Sequence, residues 1–173
     1  MTAYIRQANL EDLVEIMQII ASAKDYLAQQ KIDQWQNGYP VVSDIEDDIR
    51  SSEKEACVLV VNGNIAGYAV IMTSVEPAYQ MITDGKWQES DESENYVTIH
   101  RMALSTEFRG LGLANIFWSN ILSTMRMQGF TDFRVDTHPE NKVMRGALEK
   151  QGFEYRGNVM FEGLRFAYQL ILK

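Results

Sequence analysis

The stretch that most restricts how this chain can fold is residues 96–128. YVTIHRMAL alternates like a strand, and its 97, 99 and 101 side chains are expected to face opposite to 98, 100 and 102. A bare turn follows at RGLGLA, where two glycines and an alanine sit among leucines behind an arginine. From about 111 to 128, Leu113, Ile116, Phe117, Ile121, Leu122 and Met125 then recur at helical spacing, and Gly129 ends the run as a C′ glycine does.

The flanking sequence fixes what surrounds this strand–turn–helix unit. AYIRQ reads as a short strand, Asn9 as the N-cap of a helix carrying Leu10, Leu13, Met17 and Ile20, and a second helix is expected around 43–52. ACVLVVNGNIAGYAVIM is a hairpin closed at Asn62-Gly63. A helical turn is expected near 78–83, and DFRVDT forms the next strand. NKVMRGALEKQ is a helix ending at Gly152, and two strands complete the chain. The order βααββ(turn)βαβαββ belongs to an α/β or α+β mixed sheet and rules out a bundle, a sandwich or a TIM barrel. With no repeat and no Pro/Gly-rich linker, residues 1–173 read as a single domain.

Composition narrows the function. A net charge of −8 with no basic stripe argues against nucleic acid as a partner, because phosphate neutralisation supplies most of such affinity. No apolar run approaches the roughly 18 residues of a membrane span, and MTAYIRQANLED lacks the layout of a secretory signal, so a cytoplasmic location is expected. Cys57 is the one cysteine, set in an apolar strand, and reads as a small hydrophobe rather than a nucleophile. Two histidines without a Cys/His cluster predict no metal site.

The glycine turn admits three readings. A dinucleotide fingerprint needs G-x-G-x-x-G/A directly after a strand, whereas here Gly110, Gly112 and Ala114 have the wrong spacing and the strand ends five residues earlier. The Walker pattern is absent. R-x-x-G-x-A, carried by Arg109, Gly112 and Ala114, leaves the first amides of a helix bare toward an anion such as a diphosphate. On these residues alone, a plain strand-to-helix turn is equally open.

Two segments together resemble the GNAT superfamily of N-acetyltransferases: VTIHRMALSTEFRGLGLANIFWSNIL, and the strand plus Asn-led helix DFRVDTHPENKVMRGALEKQGFEYRG. The resemblance implies a GNAT-like fold: a central, mostly antiparallel sheet with splayed middle strands, flanked by four helices. It also implies acetyl-CoA as donor, with the thioester between the strands 96–104 and 132–137. The backbone of Met102, Ala103 and Leu104 would pair with the pantetheine arm, and the amides of Arg109, Gly110, Leu111, Gly112, Leu113 and Ala114 would hold the pyrophosphate. Asn141 would contact the pantetheine arm, a role compatible with its other reading as a helix cap. Many relatives pair through their sheets, so a homodimer is a further expectation.

The implied reaction moves an acetyl group to a primary amine by direct attack in a ternary complex. An amine of pKa about 10.4 is neutral in only ~1 molecule in 10³ at pH 7, so a base must take its proton. His100, on the strand lining the split, is the candidate base; packing within the sheet is its competing role. His138, before Pro139, reads instead as a capping or surface residue. Where many relatives carry a tyrosine acid, four residues before the Gly-Phe glycine, this chain has Leu148, and Tyr155 and Tyr168 are the substitutes at hand. The acceptor pocket is expected from 27–45, from 76–96 and from the last hairpin; Trp35 and Tyr39 either line it or fold their loop onto the core, two readings equally open. The four acids within 89–94 form either a solvated loop or a lure for a cationic amine. A small-molecule or peptidic amine is the expected acceptor. A protein N-terminus or lysine is the alternative acceptor, and a non-catalytic acyl-CoA sensor the alternative function.

Overall fold

The computed structural model describes residues 1–88, 95–108 and 110–173. Its elements follow in the expected order: β1 (Ala3–Gln7), α1 (Leu13–Gln29), α2 (Val42–Arg50), β2 (Lys54–Val61), β3 (Asn64–Met72), a 3-10 turn (Pro77–Met81), β4 (Tyr96–Leu104), α3 (Leu113–Met127), β5 (Asp132–Thr137), α4 (Lys142–Lys150), β6 (Glu154–Met160) and β7 (Leu164–Ile171). The strands hydrogen-bond in the order β1-β2-β3-β4-β5-β7-β6. β4 and β5 run parallel, as a strand–helix–strand crossover requires, whereas β1-β2, β2-β3, β5-β7 and β6-β7 are antiparallel. The parallel ladder covers three pairs, Tyr96↔Asp132, Val97↔Phe133 and Thr98↔Arg134.

The residues group into two compact units, Met1–Met72 with His100–Ile121, and Thr73–Ile99 with Leu122–Lys173. In the first, Asn9 starts a 3-10 turn by accepting from the Glu11 N–H, while Asp12 accepts from the Asn9 N–H at 2.9 Å and from both Arg6 guanidinium nitrogens at 2.7 and 2.8 Å. That turn runs into α1. Ile16, Ile19 and Ile20 of α1 and Ile45 of α2 bury against Val58, Val60, Tyr68 and Val70. Each such side chain contributes about 1.5–3 kcal/mol of transfer free energy. β2 is buried without interruption from Ala56 to Val61, which accounts for its apolar run. Asn62 and Gly63 both take positive φ, 49° and 87°, as a two-residue type I′ turn demands.

The second unit is organised on Arg134 of β5. Its guanidinium lies 4.8 Å from the centre of the Trp87 ring and 4.0 Å from that of Tyr96, and it donates to Asp132 at 2.7 Å. Tyr79, from the 3-10 turn, packs with Tyr96, Val159 and Ala167 and donates its hydroxyl to Asp136 at 2.7 Å. Asn141 caps α4 by accepting from the Met144 N–H.

Candidate functional site

The first unit holds the second half of β4 and the start of α3. β4 does not keep the side-chain alternation expected of it. Arg101 has φ +54°, a left-handed conformation in mid-strand, so the strict odd/even division ends there. The Arg101 side chain is tied to residues far away in the sequence. Arg101 Nε donates to the Tyr39 hydroxyl at 2.8 Å, Nη1 donates to Asp48, and the guanidinium carbon stands 5.0 Å from the Tyr39 ring centre. Asp48 is fully buried and also accepts from Lys54 Nζ at 2.8 Å and from the Tyr68 hydroxyl at 3.2 Å. Burial, together with the Asp48 charge, pushes the Tyr68 phenol well above its ordinary range.

None of this network was visible as a site in the sequence. One signal existed: Asp48 lies three residues from Ile45 on the apolar side of α2, and a carboxylate on a buried face needs a buried partner.

Beyond the kink come Met102, Ala103 and Leu104, of which Ala103 is buried and the others half-buried. The chain then reaches the glycine turn. Gly110 and Gly112 take φ +81° and +70°, and a Cβ built on either would meet nothing within 4 Å. The Gly112 carbonyl accepts from the N–H groups of Asn115 and Ile116, so Gly112 opens α3. Among the described residues, nothing accepts from the N–H groups of Leu111, Gly112, Leu113 and Ala114. Open space beside bare amides at a helix mouth is what a diphosphate would require, so these residues fit the coenzyme. Arg109 lies outside the described residues.

Gly67 of β3 brings the strand end and the helix together. A side chain there would stand 2.7 Å from Leu104 Cδ2, 3.1 Å from the Ala103 carbonyl oxygen and 3.1 Å from Phe117 Cε1. The Ser105 N–H donates to the Ala66 carbonyl at 2.9 Å, which fixes where β4 stops.

The remaining candidates take varied places. His100 is half-buried on β4, two residues before Met102. His138 accepts the Glu140 N–H on Nδ1 at 3.1 Å, in the turn that precedes α4. Cys57 is buried, and burial pushes its thiol up to about 12, which leaves no thiolate for chemistry. Trp35 packs against the first unit's core, whereas Tyr39 bonds to Arg101. Leu148 is fully buried. The Tyr168 hydroxyl donates to Glu149 at 3.3 Å and accepts from Arg145 Nε at 3.2 Å, and Tyr155 donates to Asn158 at 2.9 Å. The acidic stretch 89–94 lies outside the described residues. Among the described residues there is no group of three or more potential metal ligands, and no helix is long and apolar enough to cross a membrane.

Comparison with known proteins gives the family. The family model described as the acetyltransferase (GNAT) family matches residues 17–153. A GNAT-family acetyltransferase structure from Streptococcus agalactiae is 38% identical, with TM-score 0.89, over 99% of this chain and 96% of that one. A GNAT-family acetyltransferase from Listeria monocytogenes is 19% identical, with TM-score 0.70, over 98% and 95%. The aminoglycoside acetyltransferase AAC(6′)-Ib in complex with coenzyme A is 20% identical, with TM-score 0.65, over 98% and 95%. No protein of curated function matches. The chain therefore belongs to the GNAT acetyltransferase family.

Proposed function

We propose that this protein transfers the acetyl group of acetyl-CoA to a primary amine of a small molecule, by direct attack within a ternary complex. The observation that carries the reading is the pair of left-handed glycines, Gly110 and Gly112, bordered by open space where α3 begins. The amides of Gly110, Leu111, Gly112, Leu113 and Ala114, with Arg109, hold the diphosphate, and the backbone of Met102, Ala103 and Leu104 pairs with the pantetheine arm as an added strand would. Asn141, whose side-chain oxygen already caps α4, would approach the same arm.

His100 takes a proton from the amine as nitrogen attacks the thioester carbonyl. A C–N bond forms, the C–S bond breaks, and a backbone N–H of β4 receives the developing oxyanion. A thiol of pKa roughly 8.5 leaves as a fair leaving group without an acid, so a leucine at position 148 is tolerable. The excess of acidic residues favours a cationic acceptor. The shared fold of an aminoglycoside acetyltransferase supports a small polar amine over a protein N-terminus or lysine.

Release of free thiol from acetyl-CoA, measured against polyamines, aminoglycosides and peptides with free amino groups, tests the reading. Turnover is expected with a small cationic amine, and His100→Ala should lower kcat about 10²–10⁴-fold, the usual contribution of a general base. Unchanged activity of that variant from pH 6 to 9 would remove His100 from the mechanism. A second reading, an acyl-CoA-binding module without turnover, draws on Leu148 standing where relatives carry a tyrosine. Tight CoA binding with no turnover on any amine would establish it.

A further inference from the structure

We propose that Asp48 and Tyr39 are positioning residues for acyl transfer: by pinning Arg101 in its left-handed conformation they set the direction of the Met102 N–H. The inference rests on the acetyltransferase reading and extends the working site to α2 and the loop before it.

A left-handed backbone is disfavoured for a residue with a Cβ, and it persists only where the surroundings over-determine it. At Arg101 the side chain is held by three contacts. Nε is held by Tyr39, Nη1 by Asp48, and the face of the guanidinium by the Tyr39 ring. Arg suits this task because its planar fork engages two partners in different directions, which an ammonium cannot do as well. Asp48 is in turn fixed by Lys54 of β2 and Tyr68 of β3.

Stability alone is a weak reason for such an arrangement, because well-packed apolar side chains often serve a buried site as well as an ion pair. What the ion pair supplies is geometry. A left-handed residue turns the following peptide out of the regular ladder, as in a β-bulge. Here that peptide carries the Met102 N–H, at the first of the three residues proposed to meet the coenzyme. An amide held in a fixed direction beside the thioester can receive charge without reorganising at the moment of reaction. The residues proposed as the pyrophosphate cradle begin eight positions further along the chain, at Arg109. The device should therefore act on the chemical step more than on coenzyme affinity.

The test compares wild type with Asp48→Asn, Arg101→Gly and Tyr39→Phe. Three quantities are measured: kcat for thiol release, CoA affinity by calorimetry, and Tm. Expected are a fall of at least tenfold in kcat for Asp48→Asn and Arg101→Gly, with the Kd for CoA within threefold of wild type. Arg101→Gly is informative because glycine accepts the left-handed backbone freely but offers no anchor. If Asp48→Asn does not fold, Tyr39→Phe, which deletes one oxygen, carries the test with an expected loss of threefold or more in kcat. Variants with kcat within twofold of wild type would overturn the inference while leaving the acetyltransferase reading intact. So would kcat and CoA affinity falling together in step with Tm. A wild-type chain that binds no CoA and turns over no amine would overturn the acetyltransferase reading itself, and this inference with it.

Discussion

Gly112→Ala separates a coenzyme cradle from a tight turn, because the two predict different ratios of lost stability to lost affinity. Gly112 has φ +70°, and an added Cβ meets nothing within 4 Å. No clash inside the protein contributes, so the stability cost is the backbone preference alone, about 1–2 kcal/mol. For a chain of this size that lowers Tm by about 2–8 °C. In the proposed cradle the same methyl would stand next to the bound diphosphate rather than against protein atoms. A hydrogen bond to a charged group contributes about 1.5–3 kcal/mol net, so displacing the diphosphate from one amide weakens CoA binding by roughly tenfold to a hundredfold. Calorimetric titration with CoA, beside a thermal melt of each protein, reads both quantities. Repeating the titration at higher salt adds a control, since contacts to phosphate weaken with ionic strength. A Tm lowered as calculated, with Kd unchanged within threefold, would mean that the glycines serve only the turn, and the cradle would be wrong.

Three other outcomes are expected. Arg6 donates to Asp12 and, against the opposing effect of burial, holds its carboxyl below the ordinary value of 3.8. Its stabilisation is therefore complete above that pH and is lost as pH falls through the lowered folded value. Asp12→Ala should cost about 1–2 kcal/mol at pH 7 through the lost cap, and a Tm gap to wild type that stays constant down to pH 3 would contradict this. Cys57, with its thiol pushed up to about 12, should not react with a thiol reagent at pH 8 until the protein unfolds; it should add no background to a thiol-release assay, and rapid native labelling would show the strand to be open. Arg134→Met removes the cation facing buried Asp132 and should destabilise by about 3–5 kcal/mol, read as a lower denaturant midpoint. A midpoint equal to wild type would mean that the Trp87 and Tyr96 rings alone hold that region.

Much of the architecture was legible because its punctuation is local. Asn62-Gly63 dictates its own turn, and Asn9 and Asn141 mark helix starts through bonds spanning two or three residues. The glycines of RGLGLA likewise announce a bare backbone whatever surrounds them. Arg101 could not be foreseen. Nothing in TIHRMAL asks for a left-handed residue, and the residues that hold the Arg101 side chain, Tyr39 and Asp48, lie 62 and 53 positions away in the chain. Trp35 shows a milder limit: its place in a polar loop leaves a pocket wall and a core contact equally open, and the structure packs it against the core. Boundaries shifted where a side chain decided them. α2 starts at Val42, ahead of the expected 43, because Asp44 accepts the Val41 N–H at 2.7 Å.

The first compact unit takes its residues from two separated stretches, and this has a consequence for the nascent chain. A polypeptide that has emerged only as far as Met72 already contains Asp48, Lys54 and Tyr68, but not Arg101. It also contains Gly67, whose bare face then has neither Leu104 nor Phe117 to cover it. Such an intermediate leaves apolar surface uncovered until the ribosome has added roughly fifty more residues, several seconds of synthesis at the usual rate. A fragment ending at Met72 should therefore aggregate or be degraded rather than fold, and a split-protein design should cut elsewhere.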